Sequence, residues 1–250
     1  MELDLEGIEL RLSIGEYQIT GGFSVKCVLD EKDTGWARIF MTEELSAFLK
    51  DKNINDCVLE MGSDDGGYER QLQGVGALSG EAADILFIRS DAPGLQQVRI
   101  AATFIDCSIQ EAARYILAVS GIEKYVLTDI NAGQKKVFAL DAMSCEEALQ
   151  ELNTVYGTNI RFYSDDGIFY YGVDIPQEDY YTITDNNVLE MEKDGDVWVA
   201  EIIPIPYIHV RQRINLSCTA YSGVGMITKI VLEGGANGID MRIRFREITE

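Results

Sequence analysis

Two stretches of 18 residues in this chain share one pattern, and they align without a gap at a separation of 36 positions. The first, from Phe104, reads FIDCSIQEAARYILAVSG, and the second, from Leu140, reads LDAMSCEEALQELNTVYG. In each copy a serine, Ser108 or Ser144, is followed three residues later by Glu and thirteen residues later by Gly. Ser and Glu at this spacing form a capping box at a helix start, and Gly suits the left-handed residue that ends a helix. The repeat therefore predicts two helices of equal length.

Each predicted helix carries one apolar stripe. The stripes are Ala112, Ile116 and Val119 in the first helix and Ala148, Leu149, Leu152 and Val155 in the second. A stripe of this kind must be covered by another element. Segments of β character precede and follow the helices, at 98–104, 125–128, 137–140, 160–163 and 168–171. We therefore expect two tandem β-α-β modules in one small α/β domain, with both helices on one sheet.

The segments on either side of the repeat are predicted to be β. Near the N-terminus, Leu10, Leu12 and Ile14 alternate with polar residues, and the C-terminal stretches 208–218 and 239–248 also have β character. Alternation with period two is typical of antiparallel strands with one buried face, and short strands at this spacing indicate small barrels.

The predicted fold class is mixed α+β and mostly β, with two small antiparallel β-barrel domains flanking the small α/β domain. Segments around Pro93 and Pro176 separate the domains, because proline stops a strand from continuing. The expected domains are an N-terminal β-barrel at 1–92, the duplicated β-α-β domain at 93–175 and a C-terminal β-barrel at 176–250.

The charge balance argues against two classes of partner. Acidic residues outnumber basic ones by 42 to 21, which gives a formal net charge of −21. Affinity for phosphate comes mainly from Lys and Arg, so we expect no direct nucleic-acid binding and no docking on an anionic membrane. No apolar run approaches the length of a membrane span, and the acidic N-terminus differs from a signal peptide. We expect no membrane insertion and a cytoplasmic protein that leaves only within an assembly.

Few side chains point to catalysis. Five scattered cysteines without a Cys-x-x-Cys pattern indicate small buried side chains in a reducing compartment. His209 is the single histidine of the sequence, so the usual zinc sites and histidine-paired nucleophiles are nearly excluded. The carboxylate pairs 64–65 and 165–166 adjoin glycine in predicted turns, where Asp bonds to its own backbone. We expect no enzyme activity, no catalytic residue, no metal and no cofactor.

Two glycine-containing stretches do not form nucleotide-binding motifs. The stretch 74–76 misses the dinucleotide pattern and is predicted to be a loop, and 223–225 lacks the Gly-Lys-Ser or Gly-Lys-Thr order of a phosphate-binding loop.

The strong acidic excess disappears in the last fifty residues, where arginines follow a strand pattern. In the stretch 241–246, Arg alternates with Met, Ile and Phe, so a strand places three guanidinium groups on one face, and the arginines of 210–214 are expected to do the same. The candidate subunit-interface residues are Arg211, Arg213, Arg242, Arg244 and Arg246. We expect this stripe to meet the acidic N-terminal barrel of a neighbouring subunit. The alternative is that these arginines are solvated or pair within the chain, for example with Glu201 or Glu247.

The order of parts and several local patterns resemble one known family. The patterns are DCVLEMG at 56–62 with QLQG at 71–74, DCSIQEA at 106–112, the stretch 144–157, DDGI at 165–168, and 202–210 followed by 223–231. Together they resemble the baseplate hub proteins of contractile phage tails and related injection machines, which include the phage late control protein and the N-terminal part of type VI secretion spike proteins. The chain is shorter than the familiar hubs, and it carries neither a fused lysozyme nor a spike.

The resemblance implies a structural protein with two similar barrels in each chain and three chains in a ring. Six barrels would then match a sixfold tail tube while the other face meets a trimeric spike, so tube and spike proteins are the implied partners. The implied location is the cytoplasm during assembly and a virion or injection particle afterwards. Two alternatives stay open: a ring-building protein of a secretion apparatus, and a cell-wall hydrolase that uses Asp165 and Asp166.

Overall fold

The computed structural model describes residues 7–31, 33–80, 84–90, 93–165, 168–173, 177, 180–236 and 238–248. The fold is mixed α+β and mostly β. The chain divides into two compact units: Met1–Ser90 with Ile175–Glu250 form the first, and Asp91–Asp174 form the second. The two β segments that flank the repeat thus belong to the same unit. Pro176, a predicted boundary residue, lies outside the described residues.

The described part of the N-terminal segment contains seven strands and a short helix. They are β1 (Glu9–Ile14), β2 (Tyr17–Ile19), β3 (Phe23–Asp30), β4 (Asp33–Met41), α1 (Glu43–Leu49), β5 (Cys57–Ser63), β6 (Gly67–Ser79) and β7 (Ile85–Ser90). Alternate residues of β1 are buried, among them Leu10, Leu12 and Ile14, as the period-two pattern predicts. The Thr42 hydroxyl accepts a hydrogen bond from the Leu45 amide at 3.4 Å and so caps α1.

The glycine stretch 74–76 lies inside β6, so the predicted loop is wrong. The reason is close packing. A Cβ on Gly76 would lie 2.9 Å from the Cys57 sulfur, the Ile54 carbonyl oxygen and a methyl carbon of Leu86. Glycine is therefore used here because neighbouring atoms leave no room for a side chain.

The second unit contains both copies of the repeat. Its described elements are α2 (Pro93–Gln97), β8 (Arg99–Ser108), α3 (Ile109–Ser120), β9 (Tyr125–Leu127), β10 (Gln134–Ser144), α4 (Cys145–Tyr156), β11 (Phe162–Asp165) and β12 (Ile168–Tyr171). Helices α3 and α4 both begin with a complete capping box, at Ser108 and Ser144, and both end at a left-handed glycine, Gly121 or Gly157. The predicted start and end of each helix are confirmed.

The strands of the second unit form two sheets, so the expectation of one sheet beneath both helices is wrong. Strands β8 and β10, which lead into the helices, pair antiparallel with each other. The strands that follow the helices form a separate sheet in the order β11-β12-β9, in which β12 runs parallel to β9. Each helix therefore connects two sheets.

The buried face of α3 also differs from the predicted stripe. Its buried residues are Ile109, Ala112, Ala113, Ile116, Leu117 and Ser120. They follow the three- and four-residue spacing of one helix face, and Val119 falls outside this face and is exposed. In α4 the predicted Ala148, Leu149 and Leu152 are buried.

The described C-terminal segment adds six strands to the first unit. They are β13 (Tyr181–Thr184), β14 (Val188–Asp194), β15 (Val197–Ile202), β16 (Arg213–Ser217), β17 (Ser222–Gly235) and β18 (Gly238–Glu247). The predicted strand at 208–218 is wrong in its first half, because residues 208–212 form turns in which Arg211 has a left-handed φ of 71°. An L-residue with that φ cannot continue a strand.

Strand β17 joins the two segments of the first unit. It pairs with β18 and β16 of its own segment and, at its C-terminal half, with β3 of the N-terminal segment, where Val231 faces Val28. The described strands of the first unit form one sheet, in the order β14-β15-β18-β17-β3-β4-β7-β6-β5-β1-β2. Strand β16 branches from β17, and β13 pairs with β16. The two segments also share one apolar core. No closed barrel is detected among the described strands.

Candidate functional site

Strand β18 places its arginines as the sequence predicts. Met241, Ile243 and Phe245 have no exposed surface, whereas Arg242 and Arg244 between them are exposed. Arg246 is partly buried on the same side. The alternation of β18 therefore directs the three guanidinium groups away from the core.

Two of these arginines bind acids of their own chain. Arg242 lies opposite Glu201 of β15, and an Arg242 Nη2 to Glu201 Oε2 distance of 3.3 Å joins them. Arg246 forms an ion pair with Glu31, in which Nη1 of Arg246 lies 3.9 Å from Oε1 of Glu31. The Glu31 carboxylate is almost fully buried. No ion pair joins Arg244 to another described residue, and its cross-strand neighbours are Val199 and Lys229. Pairing within the chain thus accounts for part of the stripe.

Arg211 and Arg213 do not extend the stripe, contrary to expectation. Arg211 lies in a turn before β16, where its amide donates to the Ile227 carbonyl at 2.8 Å. Arg213 begins β16, and its guanidinium donates to the Tyr180 hydroxyl at 3.1 Å. The backbone of Arg213 also exchanges two hydrogen bonds with the side-chain amide of Gln177. The five predicted arginines therefore occupy two different local settings.

Aromatic side chains and arginines share the outer face of β4 and β7. Trp36 of β4 stacks on Phe87 of β7, with ring centroids 6.0 Å apart and planes inclined by 22°. Arg89 lies 5.7 Å from the centroid of the Phe87 ring, and Arg38 and Phe40 are exposed on the same side of β4. Sequence reasoning missed this face. The available signal was the alternation along β4, which places Phe40 on the same, polar side of the strand as Arg38.

The cysteines lack the surroundings of a nucleophile. All five are buried free thiols. Burial raises the pKa of the Cys27 thiol to about 12, and burial together with the Asp56 charge raises that of Cys57 to about 12. A reactive cysteine needs a lowered pKa and access to solvent, and these thiols have the opposite properties.

In the part of the chain that the structure describes, the two carboxylate pairs do not form an acid–base site. Asp64 lies in the turn between β5 and β6, where it accepts a long 3.4 Å hydrogen bond from the Tyr68 hydroxyl. Asp165 ends β11, and Asp166 lies outside the described residues. His209 lies in a turn, and its amide donates to the Gln212 side chain at 2.9 Å. Among the described residues, no group of three or more His, Cys, Asp and Glu side chains could hold a metal ion.

A shallow depression in the second unit is lined by residues that hydrogen-bond one another. It lies beside α3 and the loop after β9. The Gln110 side-chain amide donates to the carbonyl oxygens of Thr128 and Ile130, at 3.2 and 2.6 Å, and so holds the loop to the helix.

In the described ranges, no helix is long and apolar enough to cross a bilayer.

The chain has the fold of phage tail proteins and of a related type VI secretion component. It is similar to the 43 kDa tail protein of prophage MuSo2 from Shewanella oneidensis, with a TM-score of 0.69 and 11% identity over 96% of each chain. It is similar to a tail protein from Neisseria meningitidis MC58, with a TM-score of 0.68 and 10% identity over 96% of this chain and 97% of that chain.

The third similar structure comes from a secretion system. It is an Escherichia coli component of the type VI secretion system that exhibits structural similarity to the T4 bacteriophage tail proteins gp27 and gp5. The TM-score is 0.71, and 11% of residues are identical over 96% of this chain and 77% of that chain. No protein-family model matches this sequence, and no curated protein matches it. The likeness is therefore one of fold.

Proposed function

We propose that this chain is a structural hub protein of a phage tail baseplate or of a phage-like contractile injection machine, where it joins the tail tube to the spike. The observation that carries the proposal is likeness over the whole length, since the two tail proteins align over at least 96% of both chains. A likeness limited to one unit would support only a shared domain. The type VI component, related in structure to gp27 and gp5, supports extending the proposal to injection machines.

The proposed architecture within the first unit is two small barrels that meet where β17 pairs with β3. The described pairs within each segment are antiparallel except for β13 and β16, which run parallel, contrary to the expectation of a wholly antiparallel barrel. The N-terminal barrel would occupy 1–92 and the C-terminal barrel 176–250, with the duplicated domain at 93–175 between them. The approach of β1 to β17 supports the first barrel, since a methyl carbon of Leu10 lies 2.8 Å from the position of a Cβ on Gly234. This proximity brings the end of the N-terminal sheet back towards β17.

The proposed assembly is a homotrimer that binds tube and spike proteins. Three chains with two barrels each would present six similar modules to a sixfold tube. The role is structural and not enzymatic, the chain acts without direct nucleic-acid binding or membrane insertion, and it passes from the cytoplasm into a particle. The net charge of −21 supports the lack of nucleic-acid binding, because carboxylates repel phosphate.

The arginines of β18 are proposed to contact the acidic N-terminal segment of a neighbouring subunit. Arg244 supports this most directly, because no described carboxylate pairs with it. Arg211 and Arg213 belong to the same proposal as a second contact of the C-terminal segment. Surface ion pairs are individually weak, so the set should matter more than any member.

Charge reversal tests this interface. Changing the exposed Arg242 and Arg244 together to Glu should leave a folded monomer, measured by sedimentation equilibrium and circular dichroism. Arg246 is kept because it pairs with the buried Glu31, and its loss would destabilise the fold. The matched control changes two exposed basic residues of the second unit, Arg114 and Lys136, to Glu and should leave the mass unchanged. Unchanged mass in the β18 variant would contradict the interface.

Native mass and co-purification test the hub function itself. A hub predicts trimers and capture of tube and spike proteins, whereas a secretion ring predicts a dozen or more copies and no capture. A cell-wall hydrolase predicts clearing of peptidoglycan that is lost when Asp165 and Asp166 are changed to Asn. Clearing with this dependence would contradict the structural role.

A further inference from the structure

The outer face of β4 and β7 forms an alternating array, which we call the aromatic–arginine face. It consists of Trp36, Arg38 and Phe40 on β4 and of Ile85, Phe87 and Arg89 on β7. Across the two strands Trp36 faces Arg89, Arg38 faces Phe87 and Phe40 faces Ile85. Each arginine therefore lies opposite an aromatic ring.

This composition is typical of a protein interface. Aromatic residues and Arg are enriched where proteins bind each other, and Trp and Arg are among the side chains whose removal most weakens binding. Phe40 is 45% exposed, so part of the apolar surface meets water in the single chain. The Trp36–Phe87 stack holds the centre of the face in a fixed geometry, which lowers the entropy lost on binding.

A complementary row of acids lies elsewhere in the same chain. Glu190, Glu192 and Asp194 alternate along β14 and are exposed. β14 is the end strand of the sheet in the described part of the chain. Lys193 between them is bound to Glu247 of its own chain at 2.8 Å. Leu189 beside the row is 67% exposed and adds an apolar contact.

The spacings of the two rows agree. Successive acids on one face of a strand lie roughly 6.5–7 Å apart, since the rise is about 3.3 Å per residue. Arg38 and Arg89 lie on neighbouring strands and are offset by two residues, and diagonal neighbours of this kind are about 7–8 Å apart. Two carboxylates of β14 can thus reach two guanidinium groups while Leu189 approaches the aromatic rings.

We propose that the aromatic–arginine face binds the β14 edge of a second copy of this chain. The contact joins two different surfaces, so it is head-to-tail and can close into a ring. It rests on the proposed self-assembly and specifies the surfaces that carry it. Strand β18 lies two strands from β14 in the same sheet, so its arginines are near the proposed contact.

Reciprocal charge reversal provides the test. Three variants are compared with the wild type by sedimentation equilibrium: Arg38→Glu with Arg89→Glu, Glu190→Lys with Glu192→Lys, and all four changes together. Each double variant should be monomeric, because like charges then meet, and the fourfold variant should recover the wild-type mass. Circular dichroism checks that all three are folded. Wild-type mass in either double variant, or a fourfold variant that stays monomeric, overturns the proposal.

Disulfide trapping gives an independent readout. A chain with Phe40→Cys is mixed with a chain with Leu189→Cys under mild oxidation, and a covalent dimer should form. The native cysteines are buried, so they do not compete. Dimers in the Phe40→Cys chain alone at the same yield would overturn the pairing. A wild-type chain that is monomeric at every concentration would also overturn it, whereas failure of the hub function would appear as loss of tube and spike capture.

Discussion

Thr103 of β8 lies directly opposite Ala139 of β10, and the two residues are 36 positions apart, which is the period of the repeat. The flanking pairs, Phe104 with Phe138 and Ala102 with Leu140, exchange under the same shift. Asp106 and Ala142, which are also equivalent, share a left-handed φ of 46°. The two copies therefore pair about a local twofold axis between Thr103 and Ala139.

The helix caps should contribute equally to stability in the two copies. Ser108→Ala and Ser144→Ala each remove a side-chain acceptor for the amide three residues on, so each should lower the free energy of unfolding by about 1 kcal/mol. Urea unfolding monitored by circular dichroism measures the change. Asn at either position keeps an acceptor and should retain most of the stability. An alanine variant as stable as wild type would contradict the capping role.

Stability should fall in acid partly through Glu60. Bidentate hydrogen bonds from Arg11, both 2.9 Å long, hold the pKa of Glu60 below its ordinary value of 4.5. A carboxylate with a lowered folded-state pKa contributes stability above its unfolded pKa and loses it as pH falls through the folded pKa. The stability difference between wild type and Glu60→Gln should thus be constant from pH 7 to about 5 and shrink below the ordinary glutamate pKa. A difference unchanged between pH 6 and pH 3 would refute this account.

Gly62 should tolerate no side chain. A Cβ at this position would lie 2.0 Å from the carbonyl oxygen of Gly67 and 2.7 Å from Cα of Tyr68, both of which are backbone atoms that cannot rotate away. Gly62→Ala should therefore destabilise the β5–β6 hairpin by about 3 kcal/mol or more, as measured by thermal unfolding. Gly21→Ala is the matched control, because a Cβ there meets nothing within 4 Å. Equal melting temperatures for the two variants would contradict the clash.

The buried thiols should resist alkylation until the chain unfolds. Burial raises the pKa of the Cys27 thiol to about 12, so the thiol stays protonated at pH 8, and the sulfur has no exposed surface. Iodoacetamide should modify the native protein slowly and all five cysteines rapidly in urea, as counted by mass spectrometry. Rapid modification of native Cys27 would show that this part of the core opens readily.

Local signals made part of the fold predictable. The capping boxes of α3 and α4 and their terminal glycines act within one or two helical turns. The spacing of these residues in the sequence was therefore sufficient to predict where each helix begins and ends. The alternation in β18 likewise identified which side chains face outward. Long-range pairing was different, because no neighbouring residue specifies that β8 pairs with β10 or that β17 pairs with β3.

The candidate site was predictable in orientation but not in contacts. The exposure of Arg242 and Arg244 follows from period two, whereas the bond from Arg242 to Glu201 depends on the register between β15 and β18. The turn at Arg211 was missed because a left-handed conformation normally calls for glycine or asparagine. The aromatic–arginine face needs the pairing of β4 with β7, which local sequence does not encode.

The pairing of Val28 in β3 with Val231 in β17 also sets an order of events during synthesis. Ribosomes add about 5–20 residues per second, so one edge of β3 waits roughly 10–40 s for its partner strand to be made. The second unit lies wholly within Asp91–Asp174 and can fold during that interval. The uncovered β3 edge is consequently the part of the nascent chain that most needs protection from pairing with other chains.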